Sequence, residues 1–332
     1  MTPTRLAPNA SRYKPEDSSG FYESYFQRAN HPTRPLAFWI RYTVLRTQAR
    51  PDEACGELWA ICFDGERNRI SAAKQVVPIS ECSFSRTQLS VRIGSATLAD
   101  GTLHGQASSS SHALQWDLRY AGHEQPLLLL PERLYERGFP KAKAVVASPN
   151  ALYTGSLIVD GQAIAIDGWQ GSQNHNWGSR HTDRYAWGQV AGFDNAPDSF
   201  LECTTVQVKL GPLWSPRMTF VVLRDQGQEI ALNGLWQASR SSGSFDFFTW
   251  AIDAKGPHAR VHGRIHAPAT AFVGLSYKNP PGGTKTCLNT KLASAEITVE
   301  RSGQPARTLK TAQRAAFEIL TDRADHGVAV VA

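Results

Sequence analysis

Apolar and polar residues alternate over short stretches throughout this chain, and no segment keeps helical spacing for more than about three turns. A period of two sends successive side chains to opposite faces of a strand, so the pattern commits the chain to β-sheet. The cleanest case is residues 114–120, where Leu114, Trp116, Leu118 and Tyr120 alternate with Gln115, Asp117 and Arg119. In residues 37–45, Phe38, Ile40, Tyr42 and Val44 share one face while Trp39, Arg41 and Thr43 share the other. Asp64-Gly65, Asp100-Gly101 and Asp160-Gly161 fall between such runs and tolerate the positive φ of tight hairpins. Further runs at 56–63, 153–159, 162–167, 185–190, 200–210, 218–224, 258–266, 271–277, 295–300 and 315–320, with 245–252 as a single strand, bring the total to about fifteen to eighteen. The expected fold is all-β: two tandem antiparallel barrels or sandwiches of about eight or nine strands each, a size at which a barrel encloses one small ligand.

A length of 332 residues accommodates two medium domains. The proline-flanked stretch at 126–149, PLLLLPERLYERGFPKAKAVVASP, with a short helix expected at 132–137, takes the boundary. The expected division is a flexible arm over residues 1–18, an N-terminal β domain at 19–140 and a C-terminal β domain at 141–332.

Chemistry concentrates at residues 168–189, GWQGSQNHNWGSRHTDRYAWGQ, which hold three tryptophans and two histidines. Asn174, His175, Asn176, Asp183 and Gln189 offer hydrogen bonds and protons; Trp169, Trp177, Tyr185 and Trp187 offer flat apolar walls. Together they describe a pocket. The run at 200–210 adds Glu202 to a row otherwise made of Phe200, Thr204, Val206, Val208 and Leu210, a carboxylate on a mostly apolar face.

Other classes are disfavoured. The net charge of +6 comes without any lysine or arginine run, which argues against nucleic acid and leaves a mild attraction to acidic metabolites or to a membrane surface as a peripheral contact. Five cysteines, widely spaced and without C-x-x-C, read as free thiols of a reducing compartment. No apolar leader segment opens the sequence and its longest aliphatic run, residues 127–130, cannot span a bilayer, so the cytoplasm is the expected location. There is no Gly-rich phosphate loop and no G-x-S-x-G, and no cofactor is expected. His175, His181 and Asp183, or His258, His262 and His266, have spacings worth testing against a metal, but the second set reads as a strand with Arg264 among the ligands, and no metal is expected. Cys203 reads as a small buried hydrophobe, and Lys278 and Lys285 either meet an anion or decorate a solvated loop.

The aromatic segment Phe21-Tyr22-Glu23-Ser24-Tyr25, the Trp-bearing strand ending at Leu118, the crossover PLLLLPERLYERGFPKAK and the pattern G-x2-G-x3-HNWG-x8-WG-Q resemble the two-domain lipocalin-like superfamily. That group includes AttH-type proteins, hydroxyneurosporene synthase (the carotenoid hydratase) and tocopherol cyclase. The resemblance covers roughly residues 20–325 and implies two calycin-type barrels packed side by side with a ligand cavity associated with their junction. It also implies an activity in which an apolar isoprenoid alkene is protonated and then captures water or an internal hydroxyl, or is cyclised by the shape of the site.

Such chemistry needs an acid held in a water-poor pocket with aromatic faces around it. His175, Asp183 and Glu202 are the candidate proton donors. Each has a plainer reading: His175 fastens its segment to the barrel, Asp183 accepts bonds from the 179–184 loop, and Glu202 pairs with an arginine inside the barrel. The expected function is a cofactor-independent hydratase- or cyclase-type lyase or isomerase acting on a bulky apolar small molecule. The alternative is a non-catalytic carrier of a hydrophobic ligand, and a scaffold with no enclosed cavity is the third class. Sequence alone assigns no oligomeric state.

Overall fold

The computed structural model describes residues 8–331. The alternating runs form two large antiparallel sheets, one of twelve strands and one of ten, which make two tandem β-barrel-like domains. In the first, Phe21–Asn30 pairs with Leu36–Thr47 on one side and with Gln162–Gly178 on the other, so the earliest strand of the domain meets the latest. The second repeats the device, with Arg184–Phe193 beside Arg307–Thr321.

Two expectations need correction. The sheets divide between Gly178 and Arg184, not at 140/141, because Ala142–Val159 pairs with Ala113–Ala121 and Gln162–Gly178 and so belongs to the first sheet. Prolines at 126–149 interrupt pairing without ending the domain; the stretch they shape is an excursion holding only a short 3-10 turn, Glu132–Leu134. The strand counts also exceed eight or nine per half, partly because the run at 245–252 is a hairpin: Ser242–Asp246 and Thr249–Lys255 pair about a turn with Phe248 at φ +74°.

Of the arm expected over residues 1–18, residues 1–7 lie outside the described residues. The rest is not loose. Ser11 and Tyr13 are buried, and the Ser11 hydroxyl (2.6 Å) and the Arg12 (2.8 Å) and Tyr13 (3.0 Å) amides all donate to the Glu23 carboxylate.

Side chains fill both barrels. Phe38, Tyr42, Trp116, Tyr153 and Trp169 occupy the first, where the Trp116 indole donates to the Tyr42 hydroxyl at 2.9 Å. Trp250, Phe272 and Phe317 occupy the second. Both interiors are packed with buried side chains, where the strand count suggested room for a ligand. What is open lies between the domains. Leu36–Thr47 explains how: its Phe38 face packs into the first barrel while Trp39 joins a separate cluster with Leu275, Tyr277 and Leu320 of the second domain, so both faces are buried.

Candidate functional site at the domain junction

Residues 168–178 form the end of the strand Gln162–Gly178, and strand alternation splits the polar-aromatic cluster in two. Trp169 and His175 turn into the first barrel: Trp169 packs on Phe38 in its core, and the His175 ring stacks on Tyr25 with centroids 4.2 Å apart. Gln170, Ser172 and Asn174 turn the other way and bond to the second domain. A segment that composition presents as one pocket is thus two surfaces of a sheet.

The cavity on the junction side has a volume of about 340 Å³, at the lower end for small-molecule sites. Tyr22, Phe26, Trp39 and Arg41 form its first-domain wall. Tyr185, Trp187, Glu202, Thr204, Val206, Phe220, Tyr277 and Glu318 form the opposite one, and Leu129, Leu134 and residues 139–145 of the proline-rich excursion roof it. The row Glu202, Thr204, Val206, Val208, Leu210 faces the cavity as the sequence ordered it.

Glu202 is 2% exposed. Its Oε1 accepts the Trp187 indole N–H at 2.7 Å and its Oε2 accepts the Gln189 amide at 2.8 Å. Burial raises the acid to about 7, against the pull of those two bonds and of the Arg28 charge. No arginine ion-pairs with it among the described residues, and it faces the junction, not the barrel interior. Gln189 itself is not a wall residue. It is a hub that also accepts from Arg28 Nε (2.7 Å) and Ser172 Oγ (2.6 Å) and donates to Asn174 Oδ1 (2.8 Å), tying Glu202 to both domains.

The other candidates are placed differently. His175 touches the cavity lining, but its Nε2 is 2.8 Å from Glu23 Oε1 and its Nδ1 is 2.7 Å from the Pro8 carbonyl. Both ring nitrogens are thus occupied by protein groups. Burial alone would raise Glu23; the His175 ring, the Ser11 hydroxyl and the Arg12 amide outweigh it and hold the carboxyl below its usual range. His175 therefore fastens residues 8–13 to the barrel. Asp183 lines the cavity with its oxygens already taken, Oδ1 by Arg180 at 2.6 Å and Oδ2 by the Lys209 amide at 2.8 Å. Trp169 is a core residue, and Trp177 sits behind His175 at 4.7 Å with Arg12 over its ring. Neither is a cavity wall. Tyr185, Trp187, Asn174 and Asn176 do line it, and the Asn176 carbonyl oxygen has no hydrogen-bond partner.

Four charged or titratable residues, Glu318, Lys291, His181 and Arg41, were not singled out in the sequence as site residues. Glu318 accepts from buried Lys291 at 2.8 Å and Asn289 at 2.9 Å, with the Tyr185 hydroxyl 3.5 Å away. Lys291 lies 5.6 Å from the Trp39 ring and 5.5 Å from that of Trp187, bridging the two walls. Burial lowers its basicity, partly offset by Glu318. His181 stacks on Tyr22 at 4.1 Å and is held neutral, its pKa lowered to about 3 by burial first and by Arg41 second. Glu318 and Arg41 carry the signal that exposed Glu202: a charge inside an apolar strand run, AAFEIL and FWIRYTVL. Of His258, His262 and His266, the last two lie on the strand Ala259–His266, where neighbours take their rings, His262 bonding Glu300 at 3.0 Å and His266 bonding Thr249 at 2.9 Å, while His258 precedes the strand. Lys285 pairs with Asp322 at 2.8 Å. No helix among the described residues is long and apolar enough to cross a membrane.

No family model matches the chain. Over 227 residues it is 28% identical to an uncharacterised protein of Mycobacterium tuberculosis, in strains CDC 1551 and H37Rv alike; the match takes in 66% of this chain. The chain spans 64% of the length of those curated relatives. Among solved structures it is similar to an AttH-type protein of Nitrosomonas europaea, with TM-score 0.58 at 12% identity over 97% of this chain and 98% of that one. Kievitone hydratase of Nectria haematococca follows at 0.55, 12% identical over 96% and 94%, and CghA at 0.56, 10% identical over 93% and 89%. The chain therefore shares the two-domain β fold of these proteins.

Proposed function

We propose that the chain is a cofactor-independent enzyme of hydratase or cyclase type, which protonates a carbon–carbon double bond of a bulky apolar, isoprenoid-like molecule in the junction cavity. The observation that carries this reading is Glu202, a carboxyl buried at the wall of an apolar cavity with a pKa of about 7, so that it holds a transferable proton near neutrality. Glu202 O–H gives its proton to one alkene carbon, and the cation left on the other is faced by Trp187 and Phe26, whose rings meet edge to face at 6.0 Å. Water or a hydroxyl of the same molecule adds to the cation and loses its proton to the Glu202 carboxylate, which restores the acid. Glu318 differs from Glu202 in that its Oε1 is already taken by Lys291 at 2.8 Å and Asn289 at 2.9 Å. A fold neighbour that is by name a hydratase supports the same reaction type. Exposed Phe139 and Leu210 at the mouth, with Lys141 and Lys209 beside them, support entry of an apolar molecule from a membrane surface.

The test is incubation with prenylated phenols and linear terpenoids in oxygen-18 water, read by mass spectrometry. Wild type gives a labelled hydrate, or an unlabelled isomer where a ring closes. Glu202→Gln keeps its ligand affinity and loses about 10²–10⁴-fold in turnover. Because the acid must be protonated, turnover falls as pH rises through about 7. Unchanged turnover in Glu202→Gln would refute the role of Glu202; binding without turnover on any alkene would leave a carrier.

A further inference from the structure

The first-domain wall of the cavity holds a cation, Arg41, that makes no ion pair among the described residues, although Glu57 and Glu318 lie near enough to favour its charge. Arg41 is 5% exposed. A guanidinium carries five N–H bonds, and among the described residues Arg41 uses one of them, from Nη2 to Ser24 Oγ at 2.7 Å. Its Nε–H is buried without an acceptor. The nearby carboxylates have cations of their own, Glu57 with Lys74 at 3.0 Å and Glu318 with Lys291 at 2.8 Å. Arg28, the other buried arginine of the junction, bonds to Asn30, to Gln189 and to the Arg314 carbonyl.

Two further donors accompany Arg41. The Tyr277 ring lies under its guanidinium at 4.6 Å, the Trp39 indole N–H is buried without a partner among the described residues, and the Tyr277 hydroxyl has the Cys287 thiol, a weak acceptor, beside it. All three residues line the cavity. Buried polar groups are normally bonded, and an unpaired buried charge is among the more costly features a protein keeps. Arg41 and Trp39 on the first-domain wall, with Tyr277 facing them from the opposite one, leave donors short of acceptors and match a molecule that brings acceptors. A planar guanidinium fork pairs bidentately with a carboxylate.

We infer that Arg41, with Tyr277 and Trp39, forms an oxyanion subsite, and that the substrate is amphipathic: a carboxylate at the first-domain wall and an apolar body extending to Glu202 across the junction. This rests on reading the junction cavity as the substrate site. Arg41 would then fix which double bond reaches the acid, a positioning role distinct from the proton transfer.

The probes are 1-naphthaleneacetate and its neutral isostere 1-naphthaleneacetamide, titrated by calorimetry at neutral pH. Wild type binds the acid at least about tenfold more tightly than the amide, as expected for hydrogen bonds to a charged donor. Arg41→Met brings the two probes to equal affinity while leaving the amide unchanged, Arg41→Lys keeps part of the preference, and Glu202→Gln keeps all of it. A crystal structure of wild type with the acid, which needs no variant to fold, puts the carboxylate on Arg41. Equal binding of the two probes by wild type, binding of neither, a preference that survives Arg41→Met, or a carboxylate seated elsewhere overturns the subsite. Acid preference without turnover on any alkene would remove the enzymatic reading and leave the subsite in place.

Discussion

At the scale of single residues, what separates the proposed acid, Glu202, from Asp183 and Glu23 is how its oxygens are occupied. Glu202 accepts two neutral N–H groups, which stabilise it too weakly to undo the penalty of burial. Asp183 meets an arginine and a backbone amide, and Glu23 meets a hydroxyl, two amides and the His175 ring. Sequence could expose the first kind, because a lone charge in the row Phe200, Glu202, Thr204, Val206 has no adjacent explanation. It could not expose the second, since the partners of His175 lie 152 and 167 residues away. His175→Ala leaves the Glu23 charge buried with one partner fewer and frees residues 8–13. It should destabilise the fold by about 3–5 kcal/mol, the range for breaking a buried pair. Urea unfolding together with proteolysis at Arg12 checks this, and a variant as stable and as protease-resistant as wild type would return His175 to the list of proton donors.

At the scale of elements, the period of two was the most legible property and also the source of the main misreading. It located the strands at 114–120, 185–190 and 200–210, but residues 168–178, rich in Trp, His and Asn, concealed their own strand character behind their chemistry. Once that segment is a strand, half its side chains must leave the pocket. The W-G-Q step of the next strand follows the same logic. Trp187 and Gln189 face the junction, so Gly188 faces the second barrel, where a Cβ would come within 2.5 Å of Ile265 Cδ1 and 2.9 Å of the Trp250 ring. Gly188→Val should therefore destabilise by about 1–3 kcal/mol through overpacking. Paired with Trp250→Leu it should recover part of that loss. A thermal melt of the single and double variants decides, and a neutral single variant would mean that the barrel interior yields more readily than its packing implies.

At the scale of the whole molecule, side chains pack the two barrels and the cavity lined by Glu202 lies at the seam between them. Proline content suggested a domain boundary inside what is one sheet, because composition records where pairing pauses and not which strands later rejoin. The junction itself was implied by resemblance but had no local sequence signal. Its walls come from strands far apart in the chain, Phe21–Asn30, Leu36–Thr47, Arg184–Phe193, Ala196–Gln207 and Arg307–Thr321. Arg28 and Gln189 lock those walls together across the seam, and the same glutamine holds Glu202 in place, so domain packing and acid positioning depend on one set of bonds. The most direct test of a junction site is photolabelling with a diazirine analogue of a linear isoprenoid carboxylic acid, followed by peptide mapping. Labels should fall on both walls, in Leu36–Thr47 near Trp39 and in Ala196–Gln207 or Met218–Asp225 near Val206 and Phe220. Labels confined to the interior of one barrel, or scattered over its outer surface, would contradict the account.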